Sequence, residues 1–334
     1  MIRMQQTNPS RAQRVRGALV AMLVGDALGV PYEFHLATAI PALADIEMTP
    51  PPEFARSHES ITPGTWSDDG AQALALLASL MACGRLDVDD FATRLLAWYQ
   101  QGYMAVDGLV FDVGVQTSRA LRALSQGVSP RDAGPADEMD NGNGSLMRVL
   151  PLALWHQGLD AELLRDAFAQ SAVTHGHIRS KVCCALYCLW IRRLLDATTN
   201  TQSSAAWADA VTVLRALLVG DTAAQEALEL HIQPDQAAIG AGSGYVVDTL
   251  RSARMIFEAT TPPEHATAID AVAVVENSLR QAIALGHDTD TTACVLGGLL
   301  GARYGIDAVP PRWQHMLRGM ELVAPLLAQL DQTT

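Results

Sequence analysis

Apolar and polar positions follow one another in long blocks along this chain, and no run shows a convincing period of two. Three blocks are almost free of charge: residues 17–30, in which Asp26 is the only charge, residues 71–83 and residues 293–302. Uncharged runs of this length are typical of helices that are buried on all sides. The pattern therefore predicts three buried helices. In the first of them, Gly25 and Gly29 would let another helix approach closely.

Amphipathic stretches between these runs predict further helices. They fall at 87–102, at a segment after residue 118 that ends at residue 127, and at 160–171, 179–195, 207–220, 245–259, 268–284 and 311–330. Residues 128–144 and 221–244 have the composition of loops. Because the apolar content leans on Ala and Leu and aromatic residues make up only 5%, we predict an all-α fold in a single domain.

Two of the buried helices begin with paired carboxylates. Asp68 and Asp69 follow Ser67 at the start of the second helix, and Asp288 and Asp290 lie at the start of the third. A helix start needs only one capping side chain, so two acids exceed that need. Their alternative role is to complement the helix dipole. Buried carboxylates are costly unless they are paired or bind a metal.

If these two helix starts meet, four carboxylates converge together with the hydroxyl groups of Ser67, Thr289 and Thr291. Like charges in such proximity raise one another's pKa, so the cluster needs cations. An all-oxygen set suits Mg²⁺, Mn²⁺ or Ca²⁺ rather than zinc. Two such ions ~3.5–4 Å apart can activate a water and hold substrate oxygens.

Composition limits the partners and the compartment. The net charge of −13 argues against a nucleic-acid-binding surface. Five cysteines without a CxxC pair indicate free thiols in a reducing cytoplasm. The polar first 16 residues do not form a signal peptide, and the apolar stretch 18–24 is far shorter than the ~20 residues of a membrane span. We expect a soluble, cytoplasmic protein with neither nucleic-acid nor membrane partners.

Five segments make the sequence resemble the ADP-ribosylglycohydrolase family, which is related to dinitrogenase reductase-activating glycohydrolase. They are residues 17–29 with Glu33, 66–70, 143–148, 244–250 and 286–291, and the resemblance extends over nearly the whole chain. It implies a single compact domain of orthogonally packed helices at 15–334, after a flexible N-terminal tail at 1–14. It also implies two Mg²⁺ ions as cofactor, for which Mn²⁺ can substitute.

The resemblance also assigns roles to residues. The implied metal ligands are Ser67, Asp68, Asp69, Asp288, Asp290 and Thr291, with Thr291 chosen over Thr289. The implied catalytic carboxylates are Glu33, Asp69 and Asp288, one of which takes a proton from the attacking water. The implied contacts to ADP-ribose are Asp112, Gly114, Asn143, Gly144, Ser145, Met147, His175 and Tyr245.

Three positions depart from the family pattern. The family usually has Thr where Ser67 and Gly70 stand, and often Gly where His287 stands. Ser67 keeps the hydroxyl group, so metal binding is preserved. Gly70 lacks a side chain that would help to fix the helix start. His287 either shapes substrate choice or fills space.

The function that the resemblance implies is Mg²⁺-dependent hydrolysis of the bond between ADP-ribose and a protein side chain, with an arginine linkage favoured and a serine linkage next. The partners would then be ADP-ribosylated proteins or ADP-ribose. One alternative is a catalytically inactive ADP-ribose-binding member of the fold. Another is an immunity protein that counters an ADP-ribosyltransferase toxin by reversal or by binding it. The acidic cluster alone would also allow a two-metal phosphohydrolase acting on nucleotides.

Overall fold

The computed structural model describes residues 8–196, 203–260 and 270–333. Within these ranges the chain forms fourteen α-helices and no strand, so the prediction of an all-α fold is confirmed. The helices are α1 (Arg11–Gly29), α2 (Asp68–Cys83), α3 (Val88–Gln101), α4 (Val115–Ser125), α5 (Leu150–Trp155), α6 (Asp160–Ala172), α7 (Ile178–Asp196), α8 (Ser203–Leu217), α9 (Thr222–Glu226), α10 (Val246–Thr260), α11 (Ala271–Ala284), α12 (Thr289–Tyr304), α13 (Pro311–Met316) and α14 (Met320–Thr333).

Helices α1 and α12 pack antiparallel at the centre of this compact domain, with their backbones in contact. A Cβ atom on Gly25 would lie 2.2 Å from the carbonyl oxygen of Ala293, and one on Gly301 would lie 2.1 Å from the carbonyl oxygen of Gly17. Only small residues permit backbones to approach this closely. The close approach predicted from the spacing of Gly25 and Gly29 is therefore confirmed.

The C-terminal end of α1 brings the starts of α2 and α12 together. The Thr289 hydroxyl donates a hydrogen bond to the carbonyl oxygen of Gly29 at 2.8 Å. Three residues earlier, the buried Asp26 carboxylate accepts the backbone N–H groups of Ser67 and Gly70, both at 2.8 Å. One turn of α1 thus holds both helix starts. Asp26 is thus a capping carboxylate for α2.

The first helix begins earlier than the apolar pattern predicts. Helix α1 starts at Arg11, where Ser10 and Gln13 form a reciprocal capping box, rather than at residue 17. Arg14 is buried and donates from Nη1 to the carbonyl oxygen of Leu194 at 2.6 Å. Residues 11–14 therefore belong to the folded domain and not to the predicted tail, whereas residues 1–7 lie outside the described part of the chain.

Two further predictions about helices were wrong, and one short helix was not predicted. Within the predicted loop at 221–244, residues 222–232 form α9 and a π-helix, Ala227–Ile232. The single helix predicted at 311–330 is divided into α13 and α14, where the Arg318 N–H donates to the carbonyl oxygen of Gly64 at 2.8 Å. The short α5 was not predicted, because six residues carry too little periodicity. The predicted helix at 207–220 begins at Ser203. Residues 197–202 and 261–269 lie outside the described part of the chain.

By length and composition, Arg11–Tyr32 would pass as a membrane-spanning helix, but 94% of its apolar window is buried inside the protein. It is therefore placed like the core helix of a folded domain. All five cysteines are free thiols, and four of them are buried, as the sequence predicts.

Candidate active site

The starts of α2 and α12 face one cavity of about 320 Å³. Among the residues that the structure describes, no Lys or Arg side chain lines it, whereas five carboxylates do. The lining residues are Glu33, Phe34, Asp68, Asp69, Asp112, Gly114, Val115, Gln116, Thr117, Gly142, Asn143, Gly144, Met147, His175, Gly244, Asp288 and Thr291. The cavity therefore gathers acidic groups without a Lys or Arg in its described wall.

The two predicted halves of the site meet. The Thr291 hydroxyl lies 3.4 Å from Asp69 Oδ1 and donates to it. Carboxylate oxygens of Glu33, Asp288 and Asp290 lie within 4.8 Å of one another, in a group whose geometry could hold a metal ion. The convergence that the sequence left conditional is thus present in the fold.

The α2 half is fixed by its own capping groups. Ser67 is the N-cap residue of α2, and its Oγ accepts the N–H of Asp69 at 3.3 Å. A Cβ on Gly70 would lie 2.7 Å from Cγ of the Trp66 ring, so the threonine that is usual in the family would clash here. The glycine does not weaken this helix start, because Asp26 binds the backbone N–H of Ser67 and that of Gly70 itself.

A buried hydrogen-bond chain supports Asp68 from behind. Gln72 donates from Nε2 to Asp68 Oδ2 at 2.8 Å, and its Oε1 accepts Nη1 of Arg148 at 2.8 Å. Arg148 is fully buried and also donates to the carbonyl oxygen of Gln170 at 3.0 Å. Burial lowers the pKa of Arg148 to about 10, so the guanidinium stays charged at neutral pH. The side-chain amide of Gln72 thus bridges the positively charged Arg148 to the Asp68 carboxylate.

The α12 half is held by loop backbone. Asn143 donates from Nδ2 to Asp288 Oδ2 at 2.8 Å, and the Asp288 N–H donates to the carbonyl oxygen of Gly242 at 2.9 Å. His287 has φ +61° and an exposed side chain. Its N–H donates to the carbonyl oxygen of His35 at 2.6 Å, and its carbonyl oxygen accepts the Phe34 N–H at 2.7 Å.

These contacts show the role of the backbone at position 287. A positive φ favours glycine, so the glycine that is common in the family meets a backbone requirement. In this chain histidine adopts the same left-handed conformation. The backbone of His287, and not its ring, links the segment carrying Glu33 to the start of α12.

Two buried carboxylate oxygens lack any hydrogen-bond partner in the described part of the chain, namely Asp69 Oδ2 and Asp290 Oδ2. Burial first, and then neighbouring carboxylates, raise the pKa of both groups well above the ordinary value. An unpartnered carboxylate in the interior is costly. Asp69 lines the acidic cavity, and Asp290 belongs to a group with Glu33 and Asp288 whose carboxylate oxygens lie within 4.8 Å of one another. Bare oxygens in such a cluster fit a hard divalent cation, so the residues present suit a metal centre.

Glu33 and Asp112 complete the acidic wall. Burial, and then the charges of Asp112 and Asp288, raise the pKa of Glu33 to about 11. Burial and the charge of Asp288 also raise the pKa of Asp112 to about 6. Without added positive charge, Glu33 therefore keeps its proton at neutral pH. Its carboxyl group also contacts His58, at 2.8 Å between Glu33 Oε2 and His58 Nε2.

The opposite wall contains most of the predicted substrate contacts. His175 is buried, and its Cε1 lies 2.7 Å from the position that a Cβ on Gly144 would take. Burial, and then the charge of Arg148, lower the pKa of His175 to about 3, so its ring is neutral. The predicted residues that line the cavity are Asp112, Gly114, Asn143, Gly144, Met147 and His175.

Ser145 and Tyr245 do not line this cavity among the described residues. The Ser145 hydroxyl is fully buried and accepts a hydrogen bond from Ser171 Oγ at 2.9 Å. Tyr245 forms an isolated β-bridge with Gly142. Both residues thus stabilise the loop at 141–145 through contacts outside the cavity. Direct substrate contact, as predicted for their side chains, does not follow from this arrangement.

Several residues at the site carry no signal in the sequence. Gln116 accepts the Gly142 N–H at 2.6 Å through Oε1, while its buried Nε2 has no partner among the described residues. Because Gln116 lines the cavity, this amide is a donor available to a ligand. The contacts of Gln72 and His58 were not predicted either. Gln72 lies within an apolar run, and His58 lies in a proline-rich connection.

Comparisons with known proteins agree with this geometry. Residues 7–334 match the sequence profile of the family described as ADP-ribosylglycohydrolase. The chain is 29% identical to ADP-ribosylarginine hydrolase Tri1 of Pseudomonas putida (strain GB-1), over 95% of this chain and 77% of the relative. It is 28% identical to ADP-ribosyl-[dinitrogen reductase] glycohydrolase of Rhodospirillum rubrum, over 97% of both. A solved structure titled ADP-ribosylglycohydrolase-related protein complex superposes with a TM-score of 0.72, at 29% identity, over 97% of this chain and 99% of the other.

Proposed function

We propose that this chain, which belongs to the ADP-ribosylglycohydrolase family, removes ADP-ribose from modified protein side chains. Members of the family hydrolyse glycosidic bonds, and the chain is such a hydrolase. The observation that carries the proposal is the cavity in which two helix starts meet with bare carboxylate oxygens. We favour an arginine linkage because relatives at 29% identity are named ADP-ribosylarginine hydrolase, with a serine linkage next.

The cofactor that we propose is a pair of Mg²⁺ ions, for which Mn²⁺ can substitute. Bound there, such ions would supply charge that polarises a water and holds hydroxyl oxygens of the substrate. The choice of Mg²⁺ rests on a donor set made of carboxylate and hydroxyl oxygens. The residues that would hold the ions are Ser67, Asp68, Asp69, Asp288, Asp290 and Thr291.

In the reaction, the water oxygen bonds to the anomeric carbon of the ribose and the bond from that carbon to the side-chain nitrogen breaks. The water proton passes to a carboxylate of the cavity, either Glu33 or one of the aspartates Asp69 and Asp288, and the leaving nitrogen regains a proton. The transition state would resemble an oxocarbenium ion, as in glycoside hydrolysis generally. Glu33 can act as a base only when positive charge in the cavity lowers its raised pKa.

On the other wall, the substrate would meet groups that are already oriented. Asn143 is fixed by its bonds to Asp288 and Thr249 Oγ1, the latter at 2.9 Å. The neutral ring of His175 lines the cavity beside Gly144, where it can contact the ribose or the base of the ligand. The free amide N–H of Gln116 can bind an oxygen of the ligand. Preorganised donors of this kind cost little reorganisation during the reaction.

The test is incubation with arginine-linked and serine-linked ADP-ribosylated proteins, with Mg²⁺, with Mn²⁺ and with EDTA. We expect release of free ADP-ribose from the arginine-linked protein, its loss on chelation and its return with either metal. Release that resists chelation would contradict the metal-dependent mechanism. Release of inorganic phosphate would favour the phosphohydrolase alternative instead.

A role as an immunity protein against an ADP-ribosyltransferase toxin, acting in the cytoplasm, remains a second proposal. It can be tested by co-expressing this chain with an arginine-specific transferase in bacteria. Protection that is lost in Asp290→Asn indicates reversal of the modification, whereas protection that persists in this variant indicates binding and blocking. An inactive ADP-ribose-binding protein is disfavoured because every implied ligand residue is present.

A further inference from the structure

His58 makes a contact to the acidic cluster that no motif in the sequence indicates. Its Nε2 lies 2.8 Å from Oε2 of Glu33, and the side chains of the two residues are 17% and 5% exposed. The residues are 25 positions apart, and His58 lies in the irregular, proline-rich connection between α1 and α2. A hydrogen bond to a buried carboxylate is among the stronger ones in a protein.

The segment containing His58 holds Glu33 at two separate points. Ser57 donates from Oγ to the backbone carbonyl oxygen of Glu33 at 2.5 Å, and its own N–H donates to the carbonyl oxygen of Pro31 at 2.9 Å. His58 then reaches the carboxyl group of the same residue. Main chain and side chain of Glu33 are therefore both fixed from one short stretch.

The His58 ring itself is held between aromatic rings. The ring centroids of Phe34 and Phe111 lie 5.8 Å and 5.1 Å from that of His58. The backbone of His58 has φ +51°, a conformation that non-glycine residues keep only when the surroundings enforce it. Phe34 directly follows Glu33, and Phe111 directly precedes Asp112. The imidazole thus joins three loops, two of which carry a carboxylate of the cavity.

We infer that His58 is a positioning residue for the reaction: it donates from Nε2 to one oxygen of Glu33 and so keeps the carboxylate directed into the cavity. This inference rests on the proposed function, in which Glu33 acts on the water or the substrate. Carboxylate oxygens of Asp112 and Asp288 lie within 4.8 Å of Glu33, so without the donor their repulsion would turn the Glu33 carboxylate away from its place in the cavity. His58 acts through Glu33 and does not itself touch the substrate.

The test compares His58→Leu, which removes the donor, with His58→Gln, which keeps an N–H donor. The control is His35→Gln, because His35 Nδ1 lies 2.9 Å from the backbone oxygen of Glu33 and does not contact its carboxyl group in the described structure. We expect kcat to fall about 10–100-fold in His58→Leu, with KM and the half-saturating Mg²⁺ concentration within about threefold of wild type. His58→Gln should recover most of the loss, and the control should stay within about threefold of wild type.

A double variant separates positioning from general structural damage. If His58 acts through Glu33, Glu33→Gln with His58→Leu should be no slower than Glu33→Gln alone. Additive losses would overturn the inference, as would a wild-type rate in His58→Leu. A rise of more than about tenfold in the Mg²⁺ requirement would also overturn it, because His58 would then be a metal ligand. If His58→Leu fails to fold, His58→Phe, which also removes the donor but keeps a ring near Phe34 and Phe111, replaces it in the single and the double variant.

A spectroscopic measurement keeps this inference distinct from the proposed function. In Mg²⁺-saturated protein, long-range ¹H–¹⁵N spectra should show the hydrogen of the His58 ring on Nε2, and the Nε2 shift should move in Glu33→Gln. A hydrogen on Nδ1, or no response to Glu33→Gln, would contradict the inference whatever the activity. A wild-type protein that releases no ADP-ribose from any substrate would instead refute the proposed function.

Discussion

The carboxylate of Asp26 and those of Asp69 and Asp290 lie in the same part of the protein and are all buried, but their surroundings differ. Each oxygen of Asp26 accepts a backbone N–H, from Ser67 and from Gly70. Asp69 and Asp290 each leave one buried oxygen without a partner among the described residues. Burial raises the pKa of all three. Burial and charge alone therefore do not separate their roles.

What separates them is whether the protein supplies donors. Asp26 is satisfied by the chain and needs nothing else, so its role is to hold the start of α2. Asp69 and Asp290 are left unsatisfied at a cost in stability, which a native protein recovers when something else binds there. An acid within an apolar helix run can be of either kind. Only the count of hydrogen-bond donors around each oxygen tells them apart.

The largest expected effect comes from neutralising the bare carboxylates. Asp69→Asn or Asp290→Asn should reduce ADP-ribose release by at least about 100-fold, because a key electrostatic group is lost. Chelated protein carrying either change should be as stable as wild type or more stable at pH 8, since an amide does not carry the cost of keeping a buried carboxyl group protonated where the unfolded chain would ionise it. Initial rates and thermal unfolding with EDTA measure the two parts. Asp89→Asn, an exposed acid in the first turn of α3, is the control and should change neither.

Asp26→Asn should lower the stability of the protein and leave its activity largely intact. An amide can accept only one of the two N–H groups and turns its own NH₂ toward the other, which costs about 1–3 kcal/mol of unfolding free energy. Chemical denaturation measures this loss. In the fraction that remains folded at saturating Mg²⁺, hydrolysis should persist. A stable Asp26→Asn variant without activity would show that Asp26 belongs with Asp69 and Asp290.

The metal-free protein should lose stability as the pH rises. Glu33, Asp26 and Asp112 have pKa values raised to about 11, 7 and 6, so the folded state keeps protons that the unfolded state releases above about pH 4. Unfolding free energy must then fall with increasing pH, by about 1.4 kcal/mol per pH unit for each proton of difference. Thermal unfolding from pH 5 to 9 should show this slope with EDTA and a much smaller one with Mg²⁺. A slope of the opposite sign in EDTA would mean that the cluster is not protonated in the folded state.

How much of this was predictable depends on whether a feature follows from local pattern. The starts of α2 and α12 and the close approach at Gly25 and Gly29 were predictable, because uncharged runs, paired acids and glycine spacing are local sequence patterns. Contacts between loops were not. No pattern connects His58 with Glu33, because the connection that carries His58 has no periodicity, and a buried Gln72 in an apolar run does not reveal that it bridges Asp68 to Arg148.

His287 also shows where this limit lies, and it leads to the smallest expected effect. The sequence could not decide between substrate choice and packing, whereas the structure gives its backbone the role of joining the Glu33 segment to α12 at φ +61°. His287→Gly should therefore keep near wild-type activity and change stability by no more than about 1 kcal/mol, because relief of the left-handed conformation offsets the greater freedom of the unfolded chain. His287→Val should lose about 1–2 kcal/mol, since a β-branched side chain tolerates positive φ poorly. Denaturation and KM for arginine-linked substrate measure both variants. A large rise in KM for His287→Gly would instead assign the imidazole to substrate choice.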